Sequence, residues 1–170
     1  METAEGVIIR HPNREKAESK ATKLVCVVVL LVSAALTAII LLGGWAKLEG
    51  AEIVAIAYVI IYVLMAYFVA RWSRGVLPMA AGLAVIFTTM LIVAAPAWFA
   101  RDKEGLTDPA LPPELLGLLT IILIGVQILL VIVAARAFSQ QWNIELEVHP
   151  DDDEGRAAGG SGPSVAGGWA

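Results

Sequence analysis

The chain has 170 residues and a mean hydropathy of +0.76, and 58% of its residues are hydrophobic. Soluble globular domains are roughly 45 to 50% apolar, so this composition favours a membrane protein. The 12 basic and 16 acidic residues give a net charge of −4 without a basic stripe, which argues against a nucleic-acid partner.

Four long runs of the sequence contain no charged residue, and every lysine, arginine, aspartate and glutamate lies outside them. The runs are 24–46, 53–70, 75–100 and 115–135. Each can form a helix that crosses a hydrocarbon layer of about 30 Å, which takes roughly 17 to 25 residues. We therefore predict an all-α integral membrane protein whose four transmembrane helices, within residues 24–136, form an antiparallel bundle.

Residues 1–23 precede the first run and are predicted to be a cytoplasmic segment. Pro12 and Asn13 are typical of a helix start, so we expect a helix that continues unbroken from there into the membrane. A cleaved signal peptide is the main alternative. It is disfavoured because the apolar region of such a peptide spans roughly 7 to 15 residues and ends in an A-x-A-like site, whereas this run is longer and ends in GGWAKLEG.

The three connections between the runs are 47–52, 71–74 and 101–114. The first two are short and force successive helices to lie side by side in opposite directions. Pro96, near the far end of the third helix, should kink or end it, and Pro113 suits the first turn of the fourth.

Lysine and arginine counts predict the orientation. Nine of these residues lie in the N-terminal segment, in the second connection and after the fourth run, and three lie in the other two connections. By the positive-inside rule both termini are cytoplasmic. Four tryptophans fall at the ends of runs, where indole prefers the headgroup level; they are Trp45, Trp72, Trp98 and Trp142. We expect the protein to reside in the cell membrane.

The segment 137–170 follows the last helix and is predicted to be cytoplasmic. Apolar and polar residues alternate over 142–149, a period of two that suits a short strand. A second strand-like stretch lies at 6–11, and whether the two pair is left open because isolated two-stranded ribbons are marginal. From about residue 151 the acidic and Gly-rich composition predicts a disordered tail.

No arrangement of residues in the sequence names a reaction. His11 and His149 lie outside the apolar runs, which disfavours a haem held between helices. The acidic residues 151–154 lack the spacing of an EF-hand, and Cys26, the single cysteine, has no partner for a disulfide or a CxxC motif. We therefore expect no cofactor, no metal site and no enzymatic activity.

Each apolar run carries a polar residue near its middle; these are Ser33, Tyr62, Thr88 and Gln127. With a rise of about 1.5 Å per residue, all four lie about 13 to 20 Å below the outer boundary. A primary amide facing lipid would be unsatisfied, so Gln127 should face the bundle interior and bond to Tyr62 or Thr88. We interpret these four residues as an intramembrane polar layer that holds the helices together by hydrogen bonds or, as the alternative, as a solute site.

Two classes of function agree with these features. The first is a structural or accessory subunit, or a scaffold, of a membrane complex, because coupled transporters and membrane enzymes usually place ionisable residues inside the bilayer. The second is an oligomeric passive transporter or channel for an uncharged or lipid-like solute. The expected partners are the lipid bilayer and either another protein or further copies of this chain.

Overall fold

A computed structural model describes residues 8–48, 50–100 and 109–148, and four of its helices are long and apolar enough to span a membrane. The elements are β1 (Ile8–Arg10), α1 (Pro12–Glu15), α2 (Ala17–Gly44), a 3-10 turn (Trp45–Lys47), α3 (Glu52–Ala70), α4 (Val76–Phe99), α5 (Pro113–Ser139) and β2 (Leu146–Val148). The prediction of four helices of membrane-spanning length and apolarity is confirmed.

The N-terminal helix is not continuous, so the prediction of an unbroken helix from Asn13 is wrong. The chain is helical over Pro12–Glu15, takes an extended conformation at Lys16 (φ −61°, ψ 135°), and becomes helical again at Ala17. From there α2 runs through the charged residues before the apolar run, because these residues are good helix formers. The helix therefore starts seven residues before the uncharged run does.

The ends of the other helices lie close to those predicted. Pro113 occupies the start of α5, where its missing amide leaves no hydrogen bond unmade. In α4, Pro96 lies inside the helix, which continues to Phe99 and ends as Ala100 N–H donates to Pro96 O. Pro96 is therefore followed by less than one further turn of helix.

The four long helices pack unevenly. Helix α5 lies against α2 and α4, and α2 also packs against α3, whereas α3 and α4 make much less contact with each other. The buried core contains Leu30, Tyr62, Leu77 and Leu130, while large apolar side chains cover much of the outward surface of all four helices. An apolar exterior is what contact with lipid requires.

The segments that flank the bundle meet each other. Strands β1 and β2 pair antiparallel, with Ile8 opposite Val148, Ile9 opposite Glu147 and Arg10 opposite Leu146. The pairing that the sequence left open between stretches 6–11 and 142–149 is therefore present over three residues of each. The predicted disordered tail lies outside the described residues.

Candidate intramembrane polar site

Three of the four predicted polar residues form one hydrogen-bonded chain across three helices. Tyr62 of α3 donates its hydroxyl to Oε1 of Gln127 on α5 at 2.7 Å. Gln127 donates from Nε2 to Oγ of Ser33 on α2 at 3.1 Å, and Ser33 donates to the backbone oxygen of Val29 at 2.8 Å. All three side chains are fully buried. We call this chain of hydrogen bonds the polar layer.

Thr88, the fourth predicted residue, does not belong to the polar layer. Its hydroxyl donates to Ala84 O on its own helix at 2.7 Å, and its side chain is half-buried beside a shallow groove between α4 and α5. The depth of Thr88 is that of the layer, but consecutive helical residues point about 100° apart. Phe87, its neighbour, takes the buried position instead.

Aromatic rings cover the polar layer on one side. The Phe87 ring stacks on Tyr58 with centroids 4.1 Å apart, and Tyr62 meets Tyr58 edge to face at 5.6 Å. The Tyr58 hydroxyl reaches the backbone oxygen of Leu83 at 3.4 Å, so α3 and α4 are joined at this level. Helix α4 therefore contributes aromatic contacts to the site, and no hydrogen bond of the polar layer.

A second polar cluster lies where the chain enters and leaves the bundle, and we call it the terminal clasp. Its members are Arg14, Lys23, Trp72, Arg74 and Trp142. The Trp142 side chain is fully buried and packs edge to face on Trp72, with centroids 5.2 Å apart. Lys23 Nζ lies 4.1 Å from the centre of the Trp72 ring, a cation–π distance.

Charged side chains of the clasp donate to backbone oxygens in the last turn of α5 and just after it. Arg14 Nε donates to Trp142 O at 2.9 Å, and Arg74 Nε donates to Phe138 O at the same distance. Arg74 also donates from Nη1 to Asn143 Oδ1 at 2.8 Å. The clasp thus ties the N-terminal segment and the α3–α4 connection to the C-terminal segment.

The sequence did not predict the terminal clasp. The sequence predicts that Trp72 and Trp142 belong to an interfacial belt, whereas Trp142 is fully buried in protein. Trp98 is buried as well, while Trp45 is half-exposed as a belt residue should be. The one available signal was that Trp142 begins the alternating stretch.

An apolar cavity of about 250 Å³ opens between α3 and α4 at the end of the bundle opposite the clasp, and we call it the α3–α4 pocket. The outer walls are formed by Val54 and Ala55 of α3, by Ala51 just before that helix, and by Val93 and Ala94 of α4. Helices α2 and α5 supply the inner wall. The hydroxyl groups of Thr37 and Thr120, which also line the pocket, donate to Ser33 O and Leu116 O of their own helices. The pocket therefore offers a ligand almost no free hydrogen-bonding group.

The polar groups of the site are hydrogen-bonded within the protein, which limits the chemistry available. Within the part of the chain that the structure describes, one buried polar side-chain atom lacks a partner: Nδ1 of His11, outside the long helices. The described residues also contain no group of three or more potential metal ligands. The polar layer can hold helices together, and the α3–α4 pocket can take up an apolar molecule.

No protein-family model, curated protein or solved structure matches the chain.

Proposed function

We propose that this protein is a structural or accessory subunit of a membrane complex, built as an antiparallel four-helix bundle. The observation that carries the proposal is the polar layer, in which Tyr62, Gln127 and Ser33 bond to one another and to the backbone. Hydrogen bonds of this kind hold membrane helices together. A path for a polar solute would need polar groups free to exchange partners with that solute.

The proposed orientation places both termini in the cytoplasm, in the cell membrane. The charge count supports it, with nine lysines and arginines on the terminal side and three on the other. Hydrogen bonds from Asn13 to Gln141 and from Arg14 to Trp142 support a common side for the two terminal segments. The joined segments would then form a single cytoplasmic surface for a partner.

The test is gentle extraction from native membranes, with an affinity tag at one terminus, followed by quantitative mass spectrometry. A partner protein recovered in a fixed ratio, and lost when the terminal clasp is disrupted by Arg74→Ala, supports the proposal. Arg71→Ala is the matched control, because Arg71 interacts with Tyr67 of its own helix and lies outside the clasp. Recovery of the chain alone, at every detergent strength that keeps it folded, contradicts the proposal.

The second candidate is an oligomeric passive carrier or channel for an uncharged or lipid-like solute. The α3–α4 pocket favours it, because the pocket reaches from the bundle surface to all four helices. Purified protein in liposomes distinguishes the two candidates. A carrier raises the flux of the solute above that of protein-free liposomes, and an accessory subunit leaves it unchanged.

A further inference from the structure

The α3–α4 pocket has the length of one bilayer leaflet. Along α4 its lining extends from Phe87 to Trp98, which is about 16 Å at a rise of about 1.5 Å per residue. Half of a hydrocarbon core of about 30 Å is about 15 Å. Phe87, stacked on Tyr58, closes the pocket at the level of the polar layer.

Both walls of the pocket mouth belong to helices that are long and apolar enough to span a membrane, so in a bilayer the mouth would face the hydrocarbon. Small residues, Ala51 and Ala55 on one side and Ala94 on the other, leave the gap between the walls open. An acyl chain is the apolar molecule present in that medium at the highest concentration. A volume of about 250 Å³ equals roughly eight water-sized units of about 30 Å³. Because a methylene group is of similar size, the pocket encloses about eight carbons of an acyl chain.

We propose that the α3–α4 pocket binds one acyl chain of a membrane lipid. The chain inserts between α3 and α4 from the leaflet at the α2–α3 connection, and its terminal methyl end rests on Phe87. This lipid site requires that the protein is inserted in a membrane, but it does not depend on the proposed function as an accessory subunit. The lipid-site proposal and the accessory-subunit proposal can therefore be refuted separately. Binding buries apolar surface of the bundle that would otherwise face a void, and the loss of contacts to a void is unfavourable.

The proposal predicts a specific photo-crosslinking pattern. The full-length protein is reconstituted in bilayers that contain phosphatidylcholine with a diazirine in one acyl chain, irradiated, and mapped by mass spectrometry. The reporters are Ile40 and Leu91, which line the pocket and are 8% and 7% exposed, so lipid around the bundle reaches them poorly. Leu42, 69% exposed on α2, reports the surrounding lipid. We expect label at all three.

Two phenylalanine variants on α3 supply the matched comparison. Ala55→Phe fills the pocket and should abolish the label at Ile40 and Leu91 while Leu42 stays labelled. Ala57→Phe adds the same ring at an exposed position outside the pocket and should change nothing. Ala94→Phe blocks the opposite wall and is used if Ala55→Phe does not fold.

Three outcomes overturn the proposal. The first is label at Leu42 without label at Ile40 and Leu91, which means that the chain does not enter. The second is label at the reporters that persists in both filled variants. The third is a partner protein, instead of lipid, crosslinked at the reporters when photoreactive residues are placed there in native membranes, which would make the pocket a protein docking site.

Discussion

Replacing Gln127 with leucine removes the centre of the polar layer while nearly keeping side-chain size. The variant loses the bond from Tyr62, 2.7 Å long, and the bond to Ser33, 3.1 Å long. Ser33 still donates to Val29 O, so its hydrogen remains satisfied. The Tyr62 hydroxyl belongs to a fully buried side chain and makes no other hydrogen bond to the residues that the structure describes.

The expected loss follows from these contacts. Inter-helix hydrogen bonds in membranes contribute about 0.6 kcal/mol on average and up to about 1.7, and a buried donor left without a partner costs about 1 to 3 kcal/mol. We expect Gln127→Leu to lower the free energy of unfolding by about 1 to 3 kcal/mol. Adding Tyr62→Phe removes the stranded donor, so the double variant should lose less than the two single variants together.

The assay is equilibrium unfolding in detergent micelles, with helix content and tertiary fluorescence followed together. Thr88→Val is the control, because the Thr88 hydroxyl donates to Ala84 O of its own helix and not to another helix among the described residues, and the substitution should change stability by no more than about 0.5 kcal/mol. Wild-type stability in Gln127→Leu, or an equal loss in Thr88→Val, refutes the reasoning. A solute site would instead give normal stability and lost transport.

Two further predictions concern packing at the two ends of the bundle. A Cβ at Gly44 would collide with the buried Trp98 ring, so Gly44→Ala should lower the free energy of unfolding by about 1 to 3 kcal/mol. Gly125→Ala should not lower it, because none of the described atoms lies within 4 Å of the added Cβ. Equal effects of the two substitutions would contradict this packing. Trp142→Ala should open the terminal clasp and raise the rate of amide hydrogen exchange in α1, while exchange in the interior of the long helices stays slow. Trp45 is half-exposed, so Trp45→Ala should leave the exchange rate in α1 unchanged.

Sequence alone could predict the four helices because hydrocarbon imposes strong constraints. Charges are excluded, the span must reach a fixed length, and each backbone must satisfy its own hydrogen bonds. These constraints weaken outside the membrane, which explains the missed break at Lys16. There the backbone turns to an extended conformation between Glu15 and Ala17, which both favour helix, so no local signal marks it.

The depth of the polar layer in the membrane could be predicted from the sequence, but the rotation of the helices about their own axes could not. Counting residues from the ends of the runs gives the depth of each polar group in the membrane. Gln127 must face inward because its amide would be unsatisfied in contact with lipid. The rotation of α4 depends on how its whole surface packs against α5, and that packing turns Phe87 inward instead of Thr88. The α3–α4 pocket could not be predicted at all, because it arises from the separation of two helices.

The terminal clasp depends on tertiary structure in the same way. Trp72 and Gln141 adopt left-handed backbone conformations, with φ of 65° and 49°, which is uncommon for residues other than glycine. Neither a tryptophan nor a glutamine in a sequence indicates a left-handed backbone conformation. The conformations are held by contacts between segments that lie more than 60 residues apart in sequence, such as Arg74 with Phe138 and Asn143.

The orientation of the bundle underlies both the cytoplasmic partner surface and the leaflet that supplies the acyl chain. It is tested by labelling single cysteines in intact cells with a membrane-impermeant maleimide, in a Cys26→Ala background. Ala110, exposed between α4 and α5, and Ser139, exposed at the last residue of α5, are the two positions to convert. We predict that Ala110→Cys reacts in intact cells and that Ser139→Cys reacts only after the membrane is permeabilised. Reaction of Ser139→Cys in intact cells, with Ala110→Cys protected, would contradict the account.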